Sequence, residues 1–132
     1  MSFDLSDRTI LIVDDSAIMR MVITLHLRRF TKARIDEAVN GIEAIAMMAR
    51  ERYDLVISDI NMPGMSGIEL LRAIRAGSER DIPVILLTTK GEAKDRDIGM
   101  KLGADRYLTK PVAVKELLLA VYHLLGARQK RA

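Results

Sequence analysis

Short runs of consecutive apolar residues recur along the chain, and each run ends at polar or turn residues. The runs are rich in β-branched side chains, as is typical of strands covered on both faces of a parallel sheet. Residues 55–57 form the clearest run, which leads to Asp59 and stops at the turn Met62-Pro63-Gly64. The predicted strands cover residues 9–13, 34–39, 55–59, 83–87 and 106–109.

Between these runs, apolar residues return at the three- and four-residue spacing of a helix. The first helix is predicted to begin near Ser16 or Ala17, and the second follows the turn Asn40-Gly41. The apolar positions of the first helix are Ile18, Met21, Val22 and Leu25. The predicted buried positions of the second are Ile42, Ile45, Ala46 and Ala49.

The later helices differ in the strength of their apolar face. Ser66 and Glu69 form a capping-box pattern that starts the third helix, ahead of apolar residues at 70, 71 and 74. The fourth, residues 92–102, is mostly charged and should pack most weakly, with Ala93, Ile98, Met100 and Leu102 to bury. The fifth has Val114, Leu117, Leu118 and Val121 at helical spacing and stops at Gly126.

The regular alternation of strands and helices predicts an α/β fold. Its expected form is a doubly wound, five-stranded parallel sheet with helices on both faces, giving three α/β/α layers. We expect one domain at residues 9–126, an N-terminal extension at 1–8 and a basic C-terminal tail at 127–132.

Composition excludes several classes of protein. Of the 132 residues, 49% are hydrophobic and 30% are charged, which argues against a disordered chain. Neither a membrane-length apolar run nor a signal peptide is evident, so we expect a cytoplasmic protein without membrane contact. The absence of cysteine excludes disulfides and thiolate chemistry. The net charge of +3 is partly due to the tail, which we interpret as a solvated terminus, so no nucleic-acid partner is expected.

Chemically active side chains follow four of the predicted strands. Because the carboxyl ends of parallel strands share one edge, these side chains should meet there. Carboxylates ~5 Å apart repel by about 3 kcal/mol per pair at an effective dielectric near ~20, so the cluster calls for a cation. All available ligands are oxygens, which favours Mg²⁺, or Mn²⁺ in its place, over zinc. The residues are Asp14, Asp15, Asp59, Thr88 and Lys110.

With this pattern the sequence resembles the receiver domains of two-component response regulators, and most closely the stand-alone, chemotaxis (CheY-like) type. The resemblance covers about residues 9–125. It implies a flavodoxin-like sheet with strand order 2-1-3-4-5. The matching motifs are Asp14-Asp15, Asp59 with Asn61-Met62-Pro63 and Gly67, Thr88, Tyr107 and Lys110-Pro111.

The resemblance also implies a role for each matching residue. Asp59 would accept a phosphoryl group from a histidine kinase or a phosphotransfer protein. Asp15 would coordinate Mg²⁺ directly, Asp14 mainly through water, and Asn61 through its backbone carbonyl. Thr88 and Lys110 would contact the phosphoryl group, and the Lys110-Pro111 bond would be cis. Such a protein is a phosphoacceptor with slow self-catalysed phosphorylation and dephosphorylation, not a conventional enzyme.

Two further expectations concern the lifetime of the phosphoryl group and the output of the signal. Asn61 and Lys90 flank the path of a hydrolytic water, and Lys90, being charged, would shield the phosphoryl group rather than activate water. Movement of Thr88 would make room for Tyr107 to rotate. We therefore expect a downstream protein to bind the face formed by the helix after Thr88, the last strand and residues 114–125.

Three alternative kinds of protein share part of this pattern. A haloacid-dehalogenase-like phosphatase shares the aspartate, threonine, lysine and Mg²⁺, but it needs a second acid where this chain has Asn61. A receiver that no longer accepts phosphate would lack a carboxylate or the lysine, whereas all are present. The third is a receiver domain cut from a longer regulator such as a transcription factor. We expect instead a free-standing, monomeric regulator, with chemotaxis as a candidate process.

Overall fold

The computed structural model describes residues 4–89 and 93–126. Five strands alternate with five helices along this part of the chain. The strands are β1 (Thr9–Val13), β2 (Arg34–Ala38), β3 (Leu55–Asp59), β4 (Val84–Thr88) and β5 (Arg106–Thr109). The helices are α1 (Ala17–Phe30), α2 (Gly41–Arg50), α3 (Gly67–Ala76), α4 (Ala93–Lys101) and α5 (Val114–Gly126).

All four strand pairings are parallel, and the strands lie in the order β2-β1-β3-β4-β5. The predicted fold and strand order are therefore confirmed. Strands β3 and β4 are buried along their whole length, as their continuous apolar runs require. Among the described helices, none is both long and apolar enough to span a bilayer.

The sheet separates two apolar cores. One core packs α1 and α5 against one face, with Ile23 and Leu27 from α1 and Leu117 and Val121 from α5. The other face carries α2 and α3, with Ala44, Leu70, Leu71 and Ile74 in its core and Leu102, which follows α4, packed against it. Both faces of the sheet are thus removed from water, and the chemically active residues are left at the strand ends.

The helix starts follow the cap signals in the sequence. Ser16 caps α1, and its side chain accepts from the Met19 N–H. Asn40 does the same for α2. Ser66 and Glu69 form the complete capping box predicted for α3. These caps satisfy backbone donors at the helix starts, and the cap of α1 follows the acidic pair directly.

The predicted start of α1 is confirmed, but the apolar residues whose spacing predicted the helix are not the ones it buries. Ile18 is 71% exposed, and Met21 and Leu25 are also on the surface. The buried residues are instead Ile23, Thr24 and Leu27. Helix α1 carries two apolar stripes at helical spacing, so periodicity alone cannot select the stripe that meets the sheet.

The predicted buried side of α2 is wrong, because Ile42 is 66% exposed and Ile45, Ala46 and Ala49 face outward. The residues that α2 buries are small, Gly41 and Ala44. A Cβ on Gly41 would lie 2.7 Å from the sulfur of Met65, so a larger residue there would have to displace the Met65 side chain.

Helix α4 has the thin apolar face that its charged sequence predicts, but two of its expected core residues are exposed. Ile98 and Met100 are on the surface, and Leu102 is half-buried. The Ala93 side chain lies outside the described residues. Among the described positions of α4 the buried one is Gly99, where a Cβ would lie 2.5 Å from Leu86 Cδ1 on β4. Close approach of a glycine therefore replaces side-chain packing, and α4 buries little apolar surface.

Candidate functional site

Three carboxylates meet at the carboxyl ends of β1 and β3. Parallel register sets Val13 beside Ser58, so Asp14 and Asp15 after β1 lie next to Asp59 at the end of β3. One oxygen of each carboxylate can be chosen so that all three lie within 4.8 Å of one another. Asp14 is fully buried, Asp59 is 5% exposed and Asp15 is exposed. The site therefore opens to solvent beside Asp15.

Asp14 is fixed by its backbone and by its side chain. Its N–H donates to the Ala38 carbonyl at 3.2 Å, which continues the pairing with β2. Its Oδ1 accepts from the Ser16 N–H at 2.9 Å, in an Asx-type turn that leads into the cap of α1. The change from β1 to α1 thus holds the Asp14 carboxylate at the strand end.

Lys110 lies opposite this acidic group. Its Nζ is 3.1 Å from Asp59 Oδ2 and 3.5 Å from Asp14 Oδ2. Its backbone N–H donates to the Thr88 carbonyl at 2.7 Å, and the peptide bond to Pro111 is cis, as the resemblance implied. The ammonium bridges two of the carboxylates, which lowers their mutual repulsion without cancelling it.

The Asp59 carboxyl has a raised pKa. Burial is the main cause, and the negative charge of Asp14 adds to the rise. A hydrogen bond from Lys110 and the Asn61 backbone N–H oppose it. The carboxylate is therefore poorly solvated and close to another negative charge, so a group that brings positive charge to it should bind favourably.

Burial distinguishes Thr88, which the resemblance selects, from its neighbour Thr89. Thr88, the last residue of β4, is 3% exposed, whereas Thr89 is on the surface. Thr88 pairs in register with Thr109, directly before Lys110. Tyr107 is half-buried on the same strand β5. The Arg96 guanidinium carbon lies 4.6 Å from the centre of its ring.

Gly67, at the start of α3, packs against the backbone at the end of β3. A Cβ on this residue would lie 2.2 Å from the Asp59 carbonyl oxygen and 2.8 Å from Ile60 Cα, both of them backbone atoms. The Gly67 N–H donates to the Ile60 carbonyl at 2.8 Å. Glycine is therefore required where the start of α3 passes under the end of β3.

One contact at the site had no signal in the sequence. Arg20, on α1, donates from Nη1 to the Asp14 carbonyl oxygen at 2.6 Å. Its Nε pairs with Glu37 on β2 at 3.1 Å. Its sequence neighbours are apolar and give no hint of this contact, which could be found only by knowing how α1 lies on the sheet. Lys90, the other residue considered for the pocket mouth, lies outside the described residues.

The donor set fits a hard divalent cation. All candidate ligands are oxygens, and with Lys110 the carboxylates Asp14, Asp15 and Asp59 leave a net charge of minus two. Oxygen ligands and this charge suit Mg²⁺. Both described histidines are elsewhere, His26 on α1 and His123 on α5, where His123 contacts Arg106.

Comparison with known proteins agrees with this geometry. Residues 10–122 match the family described as the response regulator receiver domain. The transcriptional regulatory protein ResD of Bacillus subtilis is 43% identical over 91% of this chain and 49% of its own length. The chain thus spans about half the length of the curated relatives it matches.

Solved structures are similar over nearly their full length. The chemotaxis protein CheY4 of Vibrio cholerae has a TM-score of 0.82 and 33% identity, covering 89% of this chain and 98% of its own. The receiver domain of sensor histidine kinase PA1611 from Pseudomonas aeruginosa, with a magnesium ion in its active site cleft, has a TM-score of 0.83 and 31% identity over 91% and 98% of the two chains. Sequence, fold and acidic strand ends therefore agree that this chain belongs to the response regulator receiver domains of two-component systems.

Proposed function

We propose that Asp59 is the phosphoacceptor of this receiver domain and takes its phosphoryl group from the phosphohistidine of a histidine kinase or a phosphotransfer protein, in the cytoplasm. The observation that carries this proposal is the buried Asp59 carboxylate, which lies 3.1 Å from the Lys110 ammonium and within 4.8 Å of two other carboxylates. A lysine and a divalent-cation site on the same carboxylate suit transfer of a highly charged group.

In the transfer, an Asp59 carboxylate oxygen forms the new bond to phosphorus. The phosphorus–nitrogen bond of the donor phosphohistidine breaks, and the bonding electron pair returns to the imidazole. Lys110, already 3.1 Å from Asp59, pairs with the phosphoryl oxygens as they arrive. The Thr88 hydroxyl, at the end of the neighbouring strand β4, donates a hydrogen bond to the same group.

Asp14, Asp15 and Asp59, with the Asn61 backbone carbonyl, would hold Mg²⁺. The bound ion supplies positive charge that stabilises the phosphoryl oxygens in the transition state. The charge on the site supports this assignment, because the raised pKa of Asp59 reflects a carboxylate that lacks solvation. Exposed Asp15 leaves the cluster accessible to a hydrated ion from solvent.

The lifetime of the phosphoryl group depends on the approach of water. We assign this control to Asn61, whose side chain is exposed beside Asp59, and to Lys90. Neither side chain is a base at neutral pH, so neither activates the water, and slow hydrolysis follows. Lys90→Ala should raise the dephosphorylation rate, and an unchanged rate would remove its role.

The output is binding of a downstream protein at the surface of α4, β5 and α5, which we name the output face. Thr88 links the site to this face, because its carbonyl accepts from Lys110 and its strand pairs with β5. Coupling of ~1–3 kcal/mol is typical of such switches. Hydrogen exchange with beryllofluoride and Mg²⁺ should change at residues 93–102 and near Tyr107; changes confined to α1 and α2 would place the output elsewhere.

The assignment of Asp59 is tested with acetyl phosphate and Mg²⁺. Intact mass should show one phosphoryl adduct in the wild type and in Asp81→Asn, an exposed control on the α3–β4 loop. Asp59→Asn should show none. An adduct on Asp59→Asn, or one that forms equally well in excess EDTA, would contradict the proposal.

A second candidate concerns the whole protein. The longer relatives are named transcriptional regulators, which favours a receiver that controls a DNA-binding partner domain. The similarity to CheY4 over 98% of its length favours a free-standing regulator, with chemotaxis as a candidate process. An immunoblot of the native protein distinguishes the two, since a band at 14.8 kDa supports the free-standing form and a band at about twice that mass the longer one.

A further inference from the structure

Arg20 makes a two-point bridge beside the acidic site. It projects from α1, and its side chain is only 14% exposed. One end of the guanidinium donates to the Asp14 carbonyl oxygen at 2.6 Å, and the Nε pairs with Glu37 at 3.1 Å. The bridge therefore connects the first helix with the ends of β1 and β2, the strands on one side of the candidate metal site.

The bonded carbonyl belongs to the peptide group that joins Asp14 to Asp15. Asp14 is held independently by its N–H, by the Ser16 N–H and by Lys110. Asp15 is exposed, and in the described part of the chain no donor to its carboxylate is found. Its direction thus depends on the orientation of this peptide plane, and Arg20 is the side chain that fixes the plane.

We propose that Arg20 is a positioning residue for the metal site: it holds the Asp14–Asp15 peptide so that Asp15 points at the cation. The role rests on the proposed function, because it assumes that these carboxylates bind Mg²⁺. Arg20 does not itself touch the cation or the phosphoryl group. Residues that orient metal ligands in this way typically change metal affinity by ~10–100-fold when they are removed.

Arginine suits the role better than other cations. Its planar fork presents separate N–H donors, so one nitrogen can serve the carbonyl while another pairs with the carboxylate. Glu37 accepts from Nε and so fixes the second side of the guanidinium. A lysine in its place has a single nitrogen and cannot keep both contacts in the same geometry.

The test measures binding of Mg²⁺ alone. Amide NMR detects the binding, because the protein has no tryptophan whose fluorescence could report it. Arg20→Met should weaken Mg²⁺ binding by ~10-fold or more. It should also shift the carbonyl ¹³C signal of Asp14 in metal-free protein, since that signal reports the lost hydrogen bond. Arg28→Met, an exposed arginine on the same helix, should leave both unchanged.

Two further variants separate this role from a purely structural one. Glu37→Gln keeps the donor to Asp14 and should bind Mg²⁺ within about two-fold of wild type. Arg20→Lys should give a dissociation constant for Mg²⁺ between those of the wild type and Arg20→Met. If Arg20→Met does not fold, Arg20→Lys alone tests the proposal. Wild-type affinity in Arg20→Lys, or in folded Arg20→Met, would overturn the proposal, as would equal loss in Glu37→Gln. Failure of the proposed metal site looks different, because then the wild type itself would not bind Mg²⁺.

Discussion

The guanidinium of Arg96 on α4 stacks over the ring of Tyr107 on β5, with its central carbon 4.6 Å from the ring centre. This contact joins the helix with the thinnest apolar face to the aromatic residue expected to move during signalling. A cation–π contact at a partly exposed site is worth about 0.5–1 kcal/mol. It therefore favours the observed ring position over any position in which the ring leaves the guanidinium.

Arg96→Met should release the Tyr107 ring and raise the population of its alternative rotamer by roughly two- to five-fold, the factor that corresponds to losing that contact. The measurement is ¹⁹F NMR on protein labelled with fluorotyrosine. The chain has three tyrosines, so three signals have to be assigned. Lys94→Met, an exposed residue on the same helix, is the control. Equal spectra for wild type and Arg96→Met would show that Arg96 does not hold the ring.

Asp59→Asn should stabilise the metal-free protein at neutral pH, by about 1–2 kcal/mol. Carboxylates ~5 Å apart repel by about 3 kcal/mol at a dielectric of ~20, so removing the Asp59 charge relieves this repulsion. The variant also loses the ion pair with Lys110, which cancels part of the stability gained. Urea unfolding measures the change. Asp81→Asn should have no comparable effect, and destabilisation of Asp59→Asn would mean that the Lys110 pair outweighs the repulsion.

The stability that Asp59→Asn gains over the wild type should increase as the pH rises. Because the folded-state pKa of Asp59 is raised above 3.8, the folded protein holds more protons than the unfolded chain between these two pKa values. The wild-type free energy of unfolding therefore falls as pH rises through that range. The difference in free energy of unfolding between Asp59→Asn and the wild type should be largest above the raised pKa and should disappear below pH 3.8. Urea unfolding curves at several pH values measure it.

Gly67→Ala should destabilise the protein by about 1–3 kcal/mol or more, because the new Cβ would meet backbone atoms of Asp59 and Ile60 that cannot move aside without shifting the site. Phosphorylation by acetyl phosphate should slow in the same variant. Gly77→Ala is the matched control, since its Cβ would lie 3.4 Å from the nearest atom. If Gly67→Ala has wild-type stability in urea and is phosphorylated at the normal rate, Gly67 does not support Asp59 in this way.

Arg75→Met should lower stability without changing Mg²⁺ affinity. Arg75 donates to the carbonyls of Gly103, Arg80 and Ile82 and pairs with Asp105, so it closes the end of the sheet opposite the acidic site. Loss of these bonds should cost about 2–3 kcal/mol in urea unfolding. Arg72→Met, exposed on the same helix, should cost little. A large change in Mg²⁺ affinity would show that the two ends of the sheet are coupled.

The sequence by itself determined the strands, their order of appearance and the residues at their ends. Continuous apolar runs mark strands buried on both faces, and parallel strands bring their carboxyl ends to one edge, so Asp14, Asp15, Asp59 and Lys110 had to converge. Local hydrogen bonding also placed the helix starts, as the capping box of Ser66 and Glu69 shows. These features depend on neighbours in the chain or on the sheet as a whole.

Only the tertiary structure decided which face of each helix is buried and which distant side chains meet. Close approach selected small residues, Ala44 on α2 and Gly99 on α4, over the larger apolar residues beside them. The bridge from Arg20 to Asp14 joins two elements whose contact has no periodic signal in the sequence. Periodicity records that a residue is apolar, but shape against the sheet determines whether it is inside.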